Sequence, residues 1–394
     1  MIDVKTENDK LILGLEGRID AVNAPEVQKE IDECLEANPH TSLDLDFEKI
    51  QYVSSAGLRV LLRLRKKEPE FRIINVCTEV YEVFEMTGFT EMLDIRKAFR
   101  HLSIEGCEVI GKGANGIVYR YEDDTIVKVY FNHNNDPLEV IRQERELARK
   151  AFILGIPTAI PYDVVMVGDK FGSVFERLHA TSFCKILIKE PERVDEVVDM
   201  YVDLMKKLHT THVKPGDMPR MKDVAQKWVA FLQEYLPAET FTKLKKLVDD
   251  VPDADTIIHG DYHIKNVMEQ DGEILLIDMD TLCYGYPVFE LGTVWLAYVG
   301  FGQADQNVIW DFMGLSPEFC ASIWEKTMKK YFNTEDPETL KKLEDKIKII
   351  GNTRMMRRTI RRHGFDTEMG RKEIEMCRQN LIELVEKTDD LLIG

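Results

Sequence analysis

A chain of 394 residues exceeds one ordinary domain and suits two or three, and its 44% apolar content is enough for real cores. Charged residues make up 31% and leave a net charge of −18, which would repel phosphate backbones and anionic headgroups; broad nucleic-acid or membrane-surface binding is therefore not expected. The seven cysteines (Cys34, Cys77, Cys107, Cys184, Cys283, Cys320 and Cys377) are odd in number and never spaced C-x-x-C, a usage that reads as reduced thiols in a cytoplasmic protein. The opening Met1–Lys10 lacks a basic-then-apolar signal pattern, and no apolar run approaches a membrane span. His209 and His212 stand i,i+3 without an obvious third ligand, so structural zinc is not expected.

In chain order, Ile2–Glu7 and Lys10–Glu16 read as strands joined by a turn at Asn8-Asp9. Asn23–Ala37 has helical periodicity, with Val27, Ile31 and Leu35 on one face and Ala24-Pro25 suited to a helix start. Thr41–Phe47 reads as a strand, and Ser55–Lys67 as a helix with Leu58, Leu61 and Leu62 on its apolar side. Phe71–Val76 follows as a strand and Glu79–Met86 as a helix. This alternation predicts an α/β domain with a mixed sheet.

The run Ile50-Gln-Tyr-Val-Ser-Ser-Ala-Gly-Leu-Arg-Val-Leu-Leu62 closely resembles the STAS domain of anti-sigma-factor antagonists, and the resemblance covers residues 1–99. In that family a serine that starts this helix is phosphorylated. Aligned on Gly57-Leu58, the phosphoacceptor falls on Ser55; Ser54 stands where Asp is usual, and Ala56 where Ser or Thr is common. The resemblance implies a regulatory switch and a protein partner. From the residues alone, Ser55 also reads as a helix N-cap.

A second series of strands opens at Ile104, with no Pro/Gly/Ser-rich linker before it. Val109–Tyr119 carries G-x-G-x-x-G-x-V at Gly111, Gly113, Gly116 and Val118, with Asn115 inside the loop. Strands on both sides fit a kinase phosphate lid and disfavour the strand-to-helix turn of dinucleotide folds. Glycine there lets backbone amides approach phosphates closely. Lys128 follows in the strand Thr125–Tyr130, placed to pair nucleotide phosphates, and needs an acidic partner on the helix Leu138–Phe152. Glu144 and Glu146 are both available; Leu154-Gly-Ile-Pro157 resembles the helix end of aminoglycoside phosphotransferases, and counting back from Gly155 that resemblance favours Glu144, with Glu146 the alternative. Val174–Leu178, containing Glu176, reads as the hinge whose backbone would hold adenine.

His259, Asp261 and Asn266 form H-x-D-x-x-x-x-N, and the apolar run from Glu273 ends in Asp278. Kinase-like folds use this pattern to set one carboxylate, Asp261, on the acceptor hydroxyl and an amide and a second carboxylate, Asn266 and Asp278, on Mg2+. Leu154-Gly-Ile-Pro157 and the helix ending in Leu204-Met-Lys-Lys-Leu-His209 resemble the aminoglycoside phosphotransferase and choline kinase superfamily. That resemblance covers about residues 105–394 and is strongest in 109–128 and 257–292. Only Thr281–Pro287 separates Asp278-Met-Asp280 from Phe289-Glu-Leu-Gly292, too short for a peptide-binding activation segment. Glu290 stands where Asp is usual. Trp295, Trp310 and Trp324 read as core residues, and Arg354, Arg358 and Arg361 share a basic helix face that is either solvated or an anion subsite.

The sequence thus predicts a STAS domain at residues 1–99 and a two-lobed α+β kinase-like domain at 104–394, with its lobes at about 104–178 and 179–394. The expected activity is ATP- and Mg2+-dependent phosphoryl transfer to a hydroxyl of a small molecule. The alternative is a nucleotide-sensing interaction protein with little small-molecule turnover, or one acting on protein, in which Ser55 is the switch.

Overall fold

The computed structural model describes residues 2–7, 9–113, 115–131 and 137–393. Asn8 of the expected first turn and Ala114 of the glycine loop lie outside the described residues. The chain divides into two compact units, Met1–Ser103 with Val164–Asp169, and Ile104–Asp163 with Lys170–Gly394.

In the first unit, β1 (Asp3–Glu7), β2 (Lys10–Ile19), β3 (Ser42–Val53), β4 (Arg72–Val76) and β5 (Asp94–Lys97) form one sheet in that order. The first pair is antiparallel and the other three are parallel. Parallel register sets Leu11 beside Leu43, and Leu13 beside Leu45, which pairs in turn with Ile73. All five are buried, as expected for strands covered by crossover helices. Those helices are α1 (Ala24–Ala37), α2 (Ser55–Lys67) and α3 (Thr78–Met86). On α2 the buried stripe runs through Gly57, Leu58, Val60, Leu61 and Leu64. Leu62 is rotated out of that stripe and exposed, contrary to the reading that put it on the apolar side. Ser54, not Ser55, caps the helix: its hydroxyl accepts from the Ala56 and Gly57 amides at 3.2 and 3.4 Å. Ser55 is the exposed first helical residue.

One charged group sits inside this sheet. Asp44 is 1% exposed and lies opposite Arg72 across the β3–β4 ladder. Arg72 grips it with two bonds of 2.8 and 3.0 Å, and Lys10 adds a third contact. Burial alone would raise the Asp44 carboxyl, but the two cations outweigh it and hold the group below its ordinary value.

In the second unit, after the short β6 (Arg100–His101) near the end of the first stretch, come β7 (Val109–Lys112), β8 (Gly116–Glu122), β9 (Thr125–Tyr130), α4 (Pro137–Ile153), β10 (Pro161–Val167, whose residues from Val164 on belong to the first unit) and β11 (Lys170–Glu176). β7, β8, β9 and β11 lie side by side, each pair antiparallel. The β-branched run Ile126, Val127 and Val129 suits the central strand β9. Then follow β12 (Thr181–Ser182), α5 (Phe183–Lys189), α6 (Val194–Thr210), α7 (Met221–Phe231), α8 (Ala238–Asp249), β13 (Ile257–Ile258), β14 (Val267–Gln270), β15 (Glu273–Leu276), β16 (Cys283–Tyr284) and α9 (Val288–Tyr298). The unit ends with α10 (Asn307–Met313), α11 (Pro317–Phe332), α12 (Pro337–Arg361) and α13 (Glu368–Lys387).

Every residue of α9 is buried, which makes it the axle of the helical part. It meets α12 through paired glycines. A Cβ on Gly351 would fall 2.4 Å from Trp295, and one on Gly292 would fall 2.6 Å from Ile350. This contact fixes α12 against α9 about one turn before Arg354. Trp295 and Trp324 are core residues; Trp310 is half exposed, because α10 is a short helix burying Ile309 and Met313 on its other side. Among the described residues no helix is long and apolar enough to cross a membrane.

Asp44→Ala should destabilise the first unit by on the order of 2 kcal/mol. That is less than the roughly 3–5 kcal/mol lost on breaking a fully buried pair, because Lys10 and Arg72 remain about 30% exposed. A carboxyl with a lowered pKa stabilises fully above its unfolded value, near 4, and loses that contribution as pH falls through the folded one. Thermal unfolding of the whole chain should therefore show a gap between wild type and Asp44→Asn that is full at pH 7 and closes below about pH 4.

Candidate active site

The loop after β13 is shaped by one glycine and one buried carboxylate. Gly260 has φ +81°, and a Cβ there would lie 2.6 Å from the Thr281 carbonyl oxygen. Glu290, fully buried on α9, accepts the His259 and Gly260 amides at 2.6 and 3.0 Å. Burial pushes its carboxyl up to about 7 against those two donors. From α12, Arg354 donates to the Gly260 carbonyl at 2.7 Å and to the Thr293 hydroxyl at 2.5 Å.

His259 is buried and its bonds define its state. Nδ1 accepts from the Asp261 amide at 3.3 Å, and Nε2 lies 3.1 Å from the Ile277 carbonyl. An acceptor at Nδ1 and a donor at Nε2 is the neutral imidazole, and burial lowers its pKa. Asp261 follows, with Oδ2 3.5 Å from His263 Nε2 and Oδ1 3.9 Å from Arg354 Nη2. Burial would raise its carboxyl; His263 and Arg354 reverse this and hold it well below the usual carboxylate range. Asn266 donates from its side chain to the Asp261 carbonyl at 3.0 Å, while its own carbonyl accepts the Ile277 amide at 3.0 Å. That last bond ties the loop to the chain just before Asp278. Asp278 itself adopts φ +66°, a left-handed conformation costing on the order of 1 kcal/mol for a non-glycine residue.

Lys128 on β9 completes the cluster. Its Nζ is 2.7 Å from Glu144 on α4 and 3.5 Å from Asp278. Burial would lower the ammonium pKa, but the two carboxylates raise it. Glu144 is buried and also accepts the Tyr130 hydroxyl at 2.8 Å; Glu146 pairs with Lys150 instead.

The glycine loop lies between β7 and β8, with Gly111 on β7 and Val118 opposite Lys128 in the ladder. The Gly113 amide donates to the Gly116 carbonyl at 3.0 Å. A Cβ on Gly116 would be 2.3 Å from the Val129 carbonyl oxygen, whereas one on Gly113 would meet nothing within 4 Å. Asn115 donates to Asp280 at 2.7 Å, and burial beside Asp278 pushes the Asp280 carboxyl up to about 7.

The structure therefore brings Lys128, Glu144, Asp278, Asn266 and Asp261 into one connected network. Glu176 is not part of it: its carboxylate accepts the Ile160 amide at 3.2 Å and fastens the end of β11. Four participants escaped the reading of the sequence. Tyr130 and Asp280 lie two residues from Lys128 and Asp278, a strand period and a turn away, and proximity alone could have raised them. Glu290 was visible only as a substitution, and Arg354 only as one arginine of a basic face. That face is not uniformly solvated: Arg354 is held by the loop and stacks 5.6 Å from Trp228.

The sequence model of the phosphotransferase enzyme family APH matches residues 106–312, more than half of the chain. The chain belongs to that family. The STAS domain model matches residues 1–102 of this phosphotransferase. A Bordetella bronchiseptica protein, BtrV, named provisionally as an anti-sigma factor antagonist, is 32% identical over 89 residues, covering 22% of this chain and 76% of its own length. Among solved structures, a thermostable mutant of the aminoglycoside phosphotransferase APH(4)-Ia in its apo form matches with TM-score 0.49 and 12% identity, over 71% of this chain and 94% of that one. The streptomycin–ATP ternary complex of APH(2″)-IIa matches with TM-score 0.46 and 15% identity, over 71% and 93%. The protein thus combines an α/β STAS domain with a kinase-like phosphotransferase fold that ends in helices.

Gly260→Ala should cost about 1–3 kcal/mol of strain and displace Asp261. The unfolding temperature and the phosphotransferase turnover of the full chain should both fall, whereas Gly113→Ala should leave the unfolding temperature unchanged.

Proposed function

We propose that the second unit transfers the γ-phosphoryl group of ATP to a hydroxyl of a small molecule, and that the STAS unit regulates it or docks a partner. The observation that carries this reading is the joining of Lys128, paired to Glu144, with Asp278 in one ionic contact next to the Asp261–Asn266 loop. Gly111, Gly113, Gly116 and Asn115 form the lid over the phosphates, with Val118 beneath it, and Lys128 pairs the phosphates. The backbone around Glu176 receives the base.

Asn266 and Asp278 offer oxygen donors, the set a hard cation such as Mg2+ selects. The Asn266 amide nitrogen is already spent on the Asp261 carbonyl, which leaves its side-chain oxygen for a ligand. When bound, Mg2+ supplies charge neutralisation at the phosphates. Asp261 does the rest of the positioning. Its lowered pKa keeps it ionised at neutral pH, so it accepts the hydrogen bond of the acceptor hydroxyl and orients the oxygen. A carboxylate held so low is a weak base, so the proton moves to it only as the oxygen bonds to phosphorus. Most of the rate then comes from placement and electrostatics.

Asp261→Asn should lower kcat by roughly 10²–10⁴-fold and leave ATP affinity near wild type, measured by ADP release and by titration with a non-hydrolysable ATP analogue. Lys128→Ala should weaken ATP binding but spare adenosine, because the hinge contacts are backbone. Normal turnover in both variants would remove the assignment.

A regulatory role for Ser55 has its own support. It is exposed at the first turn of α2, where the helix dipole favours added negative charge, and Ser54 already supplies the cap. Ser55→Asp should therefore unfold within a degree or two of wild type, an approximate margin set by the small surface effect expected. A large loss of stability would show that Ser55 is structural.

A further inference from the structure

We propose that the acceptor is an anion, a hydroxyl compound bearing a carboxylate or phosphate, held by Arg357 and Arg358 of α12 beside Asp261. This rests on the phosphotransferase reading above and names its substrate class.

Arg354, Arg357 and Arg358 stand at i, i+3 and i+4 and so share a face. Arg354 is committed to the Gly260 carbonyl and Thr293. The other two are not committed. Both are partly buried, and among the described residues neither has a carboxylate within 4.0 Å. The Arg357 Nε is buried with no hydrogen-bond partner. Each guanidinium is instead held against an aromatic ring, Arg357 5.8 Å from Phe231 and Arg358 5.0 Å from Phe301. Glu373 reaches Arg358 only at longer range and is engaged by the Thr359 hydroxyl. Arg361 and Arg362, by contrast, are exposed and solvated.

Both guanidiniums are partly desolvated, and burial lowers the pKa of each; Arg361 and Arg354 add repulsion at Arg357, and Arg362 and Arg354 outweigh the more distant Glu373 and Asp261 at Arg358. In a chain of net charge −18 the missing carboxylates are not a matter of composition. A planar fork without a protein partner suits an external carboxylate or phosphate.

The position relative to Asp261 makes this an acceptor site. The Phe301 and Phe312 rings lie 6.0 Å apart, Phe312 meets His263 edge-on at 5.1 Å, and His263 lies 3.5 Å from Asp261. Lys265 sits 4.8 Å over Phe312 and adds a second cation, after Arg358, to this wall. An acceptor carrying only amines would meet like charge at Arg358 and at Lys265.

The test uses the full chain saturated with Mg2+ and AMP-PNP, followed by thermal shift. Malonate and D-glycerate probe a carboxylate, glycerol 3-phosphate a phosphate, and glycerol and ethanolamine the neutral and cationic cases. We expect saturable stabilisation by the anions alone. Arg357→Gln or Arg358→Gln should weaken it about 10- to 100-fold. Arg358→Lys should retain part of the affinity, and Arg361→Gln nearly all of it. Ligand-free unfolding of each variant separates lost binding from lost folding. The proposal is overturned if no anion gives a saturable shift, if the shift is unchanged in the glutamine variants, or if ethanolamine binds instead. AMP-PNP binding is read separately: its absence with anion binding intact would sink the phosphotransferase reading alone, and the reverse would sink this one alone.

Discussion

The grip of a buried carboxylate on two backbone amides underlies the geometry of this site. Glu290 lies on a helix with no solvated face, so it cannot turn to water, and the His259 and Gly260 amides are its available donors. Those amides in turn orient the two peptides that lead into Gly260, just before Asp261. Arg354 holds the opposite side of the loop by the Gly260 carbonyl, and its own position follows from the glycine contact between α9 and α12. The loop is thus clamped from two helices whose mutual distance is fixed by the absence of side chains.

The sheet is coupled to this loop through charge. Lys128 joins Glu144 to Asp278, and Asn115 joins the glycine loop to Asp280. One link starts on the strand β9 and the other in the loop between β7 and β8, and both reach the segment after β15. Asp278 can serve them because its backbone is held in a left-handed turn that an aspartate does not choose freely. In the STAS unit the buried Asp44 is matched by two cations from neighbouring strands, a closed arrangement with no valence left for a ligand.

Much of this could be read from the sequence wherever the determining contacts are local. Most strands and helices of the first unit follow period and turn residues, and α2 spans Ser55–Lys67 as its pattern predicts, whereas β3 runs past the expected Phe47 to Val53 and β5 carries no such pattern. Asp261, Asn266 and Asp278 could be picked out because one loop and one strand carry all three. What could not be read depends on distant packing. Arg354 lies 94 residues from Gly260, and nothing in its own neighbourhood distinguishes it from Arg361. Glu290 reads as an ordinary first-turn acid until α9 is seen to be buried on every side. Ser54 took the cap from Ser55 because β3 runs on to Val53, six residues past the Phe47 at which its pattern stops, and the Ser54 amide is bonded to the Ile19 carbonyl. Trp310 looked like core only because tryptophan usually is.

The ionic contacts of Lys128 also decide when its desolvation occurs. An ammonium stripped of water at the moment of ligand binding would subtract that loss from affinity. Here the ammonium is already out of bulk water, 14% exposed and compensated by Glu144 and Asp278. Its dehydration belongs to the folding equilibrium. On the proposed reading, an incoming phosphate would have only to displace one carboxylate from a 3.5 Å contact, so that the lysine would change partners without changing solvent.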